Sequence, residues 1–211
     1  MDLIRIRALF QEAAQFADRG DYEESAEAYE RVAVALRAPG SSEESAEVAQ
    51  LLRSTCFNLA QVLNKRGEFQ KALTYVEEGL NLSPTDLGRA IGQSAKGEAL
   101  YGLGQVEKAL TAFRDAVLAH PIVGPLNSAD SMTRLASDEC LGLAEEWVEL
   151  VVKSFGSELK PQSWAVVDTI RGRIAAHQGD YATARAQFES ALRADPDCSD
   201  AKLQLRLLPI R

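Results

Sequence analysis

A glycine-centred turn sequence occurs four times in this chain of 211 residues. The copies read GDYEES from Gly20, GEFQKA from Gly67, GQVEKA from Gly104 and GDYATA from Gly179. Because several positions on both sides of each glycine also agree, the copies indicate repeats of one structural unit. The chain is therefore predicted to fold by stacking copies of that unit, each of which contacts its neighbours.

The residues around each glycine predict a helical hairpin. Small residues stand seven before and five after it, and a larger residue generally stands nine after it. In chain order these three sets are Ala13, Ala60, Gly97 and Gly172; Ser25, Ala72, Ala109 and Ala184; and Tyr29, Val76, Phe113 and Phe188. Small residues that face each other let two helices approach closely, and the large side chain fills the space beside them. Pro84, Pro121 and Pro196, at the same offset in three copies, predict the end of the second helix.

This pattern resembles the tetratricopeptide repeat, a unit of about 34 residues made of helix, turn and helix. Four windows match it, at about 6–39, 53–86, 90–123 and 165–198. The first window has Arg37 at the expected proline position, with Pro39 two residues later. The resemblance implies an all-α fold, a right-handed superhelix of stacked antiparallel hairpins, in which residues 1–211 form one domain.

The segments between the windows are also predicted to be helical. Ser41 or Ser42 can cap a long first helix of the second hairpin, over about 42–65. This extended helix resembles the layout of the co-chaperone and immunophilin branch of the family. Residues 124–164 are predicted to form an irregular helical insert with Asp130 as a cap, or else one long helix. The position of Gly142, between the spacings of the other turns, also suggests a decayed hairpin.

A short capping helix is predicted over 199–208, after the last window. Asp200 can cap this helix, and the spacing of Leu203 and Leu207 predicts that both face the last repeat. Such an end piece covers core that would otherwise be exposed.

Composition argues against several classes of function. The net charge of −8, without a clustered basic stripe, disfavours binding to nucleic acid or to an anionic membrane. No apolar run approaches the roughly 20 residues needed to span a bilayer. Cys56, Cys140 and Cys198 are odd in number and widely spaced, which disfavours a disulfide framework and a zinc site and predicts reduced thiols in the cytoplasm.

Nothing in the sequence predicts catalysis. Acidic pairs such as Glu23 with Glu24 are adjacent, so on a helix their carboxylates diverge. Neither His120 nor His177 has a Cys, His or Asp at ligand spacing on the same predicted helix face, which disfavours a metal or nucleophile site. We therefore expect a chain that is not an enzyme and that has no cofactor and no metal.

The resemblance implies that the first helix of each hairpin lines a concave face that binds a partner segment. The candidate binding residues, selected by their offset from the turn glycines, are Phe10, Phe57, Asn58, Gln61, Lys65, Tyr101 and Arg173. Asn58, Gln61 and Lys65 stand three and four apart and so form one polar row, while the aromatic residues supply pockets. An alternative is that a neighbouring helix or the insert covers the aromatic residues.

Chaperone-binding relatives hold a free C-terminal carboxylate with a clamp of lysine, arginine and asparagine side chains. Asn58 matches the second-repeat asparagine of that clamp. Phe10 and Ala14 stand in place of its first-repeat lysine and asparagine, and Ile91 and Ala95 in place of its third-repeat lysine and arginine. Without those cations the sequence predicts no specificity for chaperone tails.

The predicted function is that of a non-catalytic adaptor or co-chaperone that binds a segment of another protein in its concave groove. The alternative is a structural or regulatory assembly subunit. It would self-associate or dock through the insert, the C-terminal helix or the acidic first repeat, where residues 1–50 carry 11 acidic and 5 basic side chains.

Overall fold

The computed structural model describes residues 2–38, 46–82 and 85–209, and every regular element within those ranges is helical. The all-α prediction is therefore confirmed. The chain divides into two compact units, unit 1 (Met1–His120) and unit 2 (Pro121–Arg211). Among the described residues, no helix combines the length and the apolar character needed to cross a membrane.

In its described residues, unit 1 consists of three helical hairpins. Their helices are α1 (Leu3–Arg19) with α2 (Tyr22–Arg37), α3 (Ala46–Lys65) with α4 (Phe69–Asn81), and α5 (Asp86–Gly102) with α6 (Val106–Ala119). Unit 2 contains α7 (Val123–Leu135), α8 (Asp138–Phe155), a short 3-10 turn (Gly156–Glu158), α9 (Pro161–His177), α10 (Tyr181–Ala194) and α11 (Ser199–Leu207).

The same pair of hydrogen bonds closes the turns that follow α1, α3, α5 and α9. At each turn the glycine N–H donates to the carbonyl three residues earlier, and the next N–H donates to the carbonyl five residues earlier, over 2.8–3.1 Å. The four glycines have φ between +75° and +86°. Only glycine adopts this left-handed conformation without a Cβ penalty, and the two bonds satisfy the last carbonyls of the helix. This geometry explains why the turn glycine recurs.

The repeated small and large residues form the contact between the two helices of each hairpin. Every member of the three sets is buried. A Cβ atom on Gly97 would stand 2.6 Å from the ring of Phe113, and one on Gly172 would stand 2.5 Å from the ring of Phe188. The two hairpins with phenylalanine at this position therefore need glycine opposite the ring, whereas the first hairpin has Ala13 at the position opposite Tyr29.

Two ion pairs join α2 to α4. Glu30 pairs with Lys71, and Arg37 Nε donates to Glu78 Oε1 at 3.0 Å. Glu30 and Arg37 are seven residues apart, as are Lys71 and Glu78. Each partly exposed pair contributes little stability by itself. Their equal spacing shows that the second helices of adjacent hairpins run parallel with a fixed register.

Residues 124–164 form neither one long helix nor a hairpin that turns at Gly142. The break comes at Ala136, where φ is +56°, and the Ser137 side chain accepts a bond from the Cys140 N–H at 3.2 Å. Ser137 therefore caps α8. Asp130, predicted as a cap, lies inside α7, and Gly142 lies inside α8.

The C-terminal helix α11 buries a different face from the predicted one. Its N-cap residue is Cys198, so Asp200 is not the cap. Ala201 and Leu208 are buried, whereas Leu207 is 67% exposed. Residues 201, 205 and 208 make the apolar contacts. These positions have the spacing of one helix face, so Leu207 points away from the repeat.

Some predictions concern residues outside the described ranges. These are the proposed cap at Ser41 or Ser42, the start of the long helix before residue 46, and the stops at Pro39 and Pro84. In the described part, α3 continues without a break from Ala46 to Lys65.

Candidate partner-binding surface

The first helices of the three hairpins in unit 1 are neighbours, because α3 contacts both α1 and α5. Five of the predicted binding residues on these helices are exposed or half-buried. They are Phe10 on α1, Asn58, Gln61 and Lys65 on α3, and Tyr101 on α5. We call these five residues the first-helix surface.

Tyr29 connects Phe10 to Asn58 at this surface. The ring of Phe10 meets the ring of Tyr29 edge to face, with centroids 5.4 Å apart and planes at 72°. Asn58 Nδ2 donates to Tyr29 Oη at 3.1 Å. Tyr29 itself is 1% exposed, and this burial raises the pKa of its phenol above the ordinary value. The Asn58 amide is therefore held in one orientation by a buried side chain from α2.

The rest of the polar row is more open. Lys65 is exposed, and its ammonium lies 5.1 Å from the centroid of the Tyr22 ring. Gln61 is half-buried, one turn from both Asn58 and Lys65. An amide and an ammonium group in this arrangement supply hydrogen-bond donors to a partner's backbone carbonyls or carboxylates.

Phe57, a predicted partner contact, does not belong to this surface, because neighbouring helices cover it, as in the alternative given for the aromatic residues. Its side chain is 4% exposed. A Cβ atom on Gly79 or Gly92 would stand 2.5 Å or 2.8 Å from its ring. The glycines on α4 and α5 thus leave room for the ring between the helices. These two helical glycines were the sequence signal for a buried aromatic residue.

Asn64 forms a buried hydrogen bond between α3 and α5, beneath the first-helix surface. It is 4% exposed, and its Nδ2 donates to the Ala95 carbonyl at 3.0 Å. Tyr101 occupies in α5 the offset from the turn glycine that Asn64 occupies in α3. The two equivalent positions differ in role, since Tyr101 is half-buried and Asn64 is a buried link between helices.

Arg173 lies in unit 2 and is 6% exposed. Its guanidinium donates to Asp130 on α7 and to Asp200 on α11. The predicted role of Arg173 as a partner contact is therefore corrected to that of a buried ion-pair residue. Its carboxylate partners lie 43 and 27 residues away, so the repeat offsets gave no signal for them.

No group of three or more potential metal-binding side chains occurs in the parts of the chain that the structure describes. Cys56 is buried, and burial raises the pKa of its thiol to about 12. A thiol with so high a pKa is protonated at neutral pH and is a poor nucleophile.

Comparison with known families places two stretches of the chain in one family. Models described as tetratricopeptide repeat match residues 54–86 and 170–205. The first stretch covers most of α3 and all of α4, and the second covers the C-terminal part of α9, all of α10 and part of α11. A search of curated proteins finds no match.

Solved structures with the same arrangement of helices are distant in sequence. A thermophilic tetratricopeptide-repeat protein from Thermus thermophilus aligns with a TM-score of 0.62 and 18% identity, over 95% of this chain and 97% of that one. BtubC (BKLC) from P. vanneervenii aligns with a TM-score of 0.51 and 16% identity, over 100% of this chain and 86% of that one. At such identities the likeness is one of fold alone.

Proposed function

We propose that this chain, a tetratricopeptide-repeat protein, is a non-catalytic adaptor that binds a segment of another protein on the first-helix surface of unit 1. The observation that carries the proposal is the convergence of Phe10 and Asn58 on Tyr29. An aromatic side chain and a polar amide from two different helices are thereby fixed at one place. Pre-organised groups of this kind lose little conformational entropy when a partner binds.

The chemistry of the surface fits a peptide segment. Asn58, Gln61 and Lys65 form a polar row on α3 that can bond backbone groups of many sequences, while Phe10 and Tyr101 offer apolar contacts for particular side chains. In protein interfaces a few such central residues usually contribute most of the binding energy. Gln61 and Lys65 are the more accessible donors, because Asn58 is already bonded to Tyr29.

The proposal places the protein in the cytoplasm and does not include a specificity for chaperone tails. Support for the location comes from the three cysteines, which are free thiols. The clamp positions Phe10, Ala14, Ile91 and Ala95 carry no charge, so a bound carboxylate would lose its hydration there without a cation to replace it.

The test begins with the full chain as bait, and captured proteins are identified by mass spectrometry. The affinity of the partner is then measured by titration calorimetry against the wild type and the Gln61→Ala/Lys65→Ala variant. We expect at least tenfold weaker binding, about 1.4 kcal/mol, with an unchanged melting temperature.

The matched control is Glu27→Ala/Arg31→Ala, which removes two exposed side chains from α2, outside the first-helix surface. It should bind as the wild type does. Equal loss of affinity in both variants, or in neither, would place the interaction elsewhere on the chain. If the captured partner is a second copy of this chain, the assembly-subunit alternative is favoured instead.

A further inference from the structure

The C-terminal helix α11 is attached to unit 2 by few apolar contacts. Within this helix, all of which the structure describes, Ala201 is the one buried residue, and Leu208 follows it at 7% exposure. The N-cap residue Cys198 forms no side-chain capping bond to the described chain. A helix of nine residues is not stable by itself in water. Contacts beyond its own hydrogen bonds must therefore hold it in place.

Asp200 links α11 to α9 by an ion pair. Asp200 Oδ2 accepts a hydrogen bond from Arg173 Nη2 on α9. Arg173 Nη1 donates to Asp130 Oδ1 on α7 and, at 3.4 Å, to Thr133 Oγ1. Arg134 also donates to Asp130. One buried guanidinium thus joins α7, α9 and α11, in a cluster with two arginines and two aspartates.

This cluster lies beside a pocket of about 460 Å³ within unit 2. One side of the pocket comes from α7, α9 and the start of α10, and the other side comes from α11 and the two residues after it. The lining includes Arg134, Arg173 and His177 on the first side, and Leu207 and Leu208 on the second. The position of α11 therefore determines the size of the pocket.

We propose that α11 can detach from this side of the pocket. The Asp200–Arg173–Asp130 cluster is then the latch that holds α11 against α9. The latch is asymmetric. When Asp200 leaves, Arg173 keeps Asp130 as a counter-charge, so release does not create an unpaired buried guanidinium, which would be strongly destabilising. Release opens the pocket toward α9 and uncovers the apolar residues of α9 and α10 that Ala201 and Leu208 cover.

The proposal concerns unit 2 alone and does not depend on partner binding at the first-helix surface of unit 1. It predicts that α11 opens as a local unit, at a lower free energy than α9 and α10, as regions with few buried contacts do. Local opening of this kind is measured by amide hydrogen exchange.

The experiment compares hydrogen exchange in the full-length wild type, Asp200→Asn and the matched control Asp197→Asn. Asp197 is near Asp200 in sequence, but its side chain is fully exposed and its ion pair with Lys202 is long, at 3.8 Å. In Asp200→Asn we expect the amides of residues 202–208 to exchange about tenfold faster, with less than about twofold change in α9 and α10. Asp197→Asn should exchange at wild-type rates throughout.

A second variant, Leu208→Ala, weakens the apolar part of the attachment and should also accelerate α11 alone. Unchanged exchange of α11 in Asp200→Asn would show that the ion cluster is not a latch. Equal acceleration of α9, α10 and α11 in either variant would show that α11 is an inseparable part of the unit 2 core, which would also overturn the proposal.

Discussion

The ring of Phe113 lies against the backbone of Gly97, so closely that a Cβ atom on Gly97 would stand 2.6 Å from it. The ring is fully buried, and the three nearest atoms all belong to it. The methyl group of an alanine at position 97 would meet the rigid ring of Phe113, which cannot move aside as the free end of a flexible side chain could. The side chain of Phe113 and the glycine backbone therefore set the distance between α5 and α6.

We predict that Gly97→Ala destabilises the protein. Alanine in a helix interior gains about 1 kcal/mol over glycine. Overpacking a well-filled contact costs typically 1–3 kcal/mol. Because the Phe113 ring is fully buried, we expect the overpacking cost to exceed the helix-propensity gain. Urea unfolding followed by circular dichroism measures the difference. The control is Gly142→Ala in α8, where nothing lies within 4 Å of the added Cβ.

Gly142→Ala should be neutral or stabilising by up to about 1 kcal/mol, because it has the propensity gain without the clash. Opposite signs for the two substitutions support the close packing of Gly97 on Phe113. Two stabilising substitutions would contradict it.

The helical hairpins could be predicted from the sequence because their determinants are local. Each repeat contains all of these determinants: a glycine that takes a positive φ, small residues at fixed offsets and a large residue nine positions later. The structure bears this out in the four glycines with φ from +75° to +86°. The tertiary contact follows from the same residues, since Gly97 and Phe113 belong to one hairpin.

The roles of Phe57 and Arg173 could not be predicted in this way. Phe57 is buried because Gly79 and Gly92, on two other helices, leave space for its ring. Arg173 is buried because Asp130 and Asp200 supply counter-charges from distant parts of the chain. The offset rule states which side of a helix a residue occupies, whereas burial depends on what another helix places against that side.

A second prediction concerns the pH dependence of stability at Cys56. Burial raises the pKa of its thiol from the reference value of 9.0 to about 12. The unfolded chain releases this proton at a lower pH than the folded chain does. The stabilisation is therefore fully present below about pH 9 and is lost as the pH rises toward 12.

The measurement is the free energy of unfolding of the wild type and of Cys56→Ala at pH 8 and at pH 10.5. The wild type should lose more stability than the variant over this interval. Tyr29 and Tyr75, whose pKa values burial also raises, contribute alike to both proteins. An equal loss in the two proteins would mean that the thiol ionises as readily when folded as when unfolded.

A third prediction is that acidic C-terminal peptides of heat-shock chaperones do not bind this chain with micromolar affinity. Phe10, Ala14, Ile91 and Ala95 cannot donate the charged hydrogen bonds that a buried carboxylate needs. Titration calorimetry with the free-acid peptide and with its C-terminal amide is the measurement. Micromolar binding that disappears on amidation would refute the prediction.

The last prediction tests whether Asn58 and Tyr29 act as one unit. Asn58 Nδ2 donates to Tyr29 Oη at 3.1 Å, so Tyr29→Phe and Asn58→Ala remove the same hydrogen bond. Each should destabilise the protein by roughly 0.5–1.5 kcal/mol. The double variant should lose about as much as one single variant, because the second change has no bond left to remove.

Tyr75→Phe combined with Asn58→Ala is the matched control for this cycle. Tyr75 lies on α4, where its ring is 5.8 Å from the Arg37 guanidinium carbon. Effects at sites that share no interaction add within about 0.3–0.5 kcal/mol, and this additivity is the result expected for Tyr75 and Asn58. Unfolding free energies of the six proteins give both coupling energies. If Tyr29→Phe and Asn58→Ala are additive as well, the bond does not orient the Asn58 amide, and the first-helix surface lacks the pre-organisation proposed for partner binding.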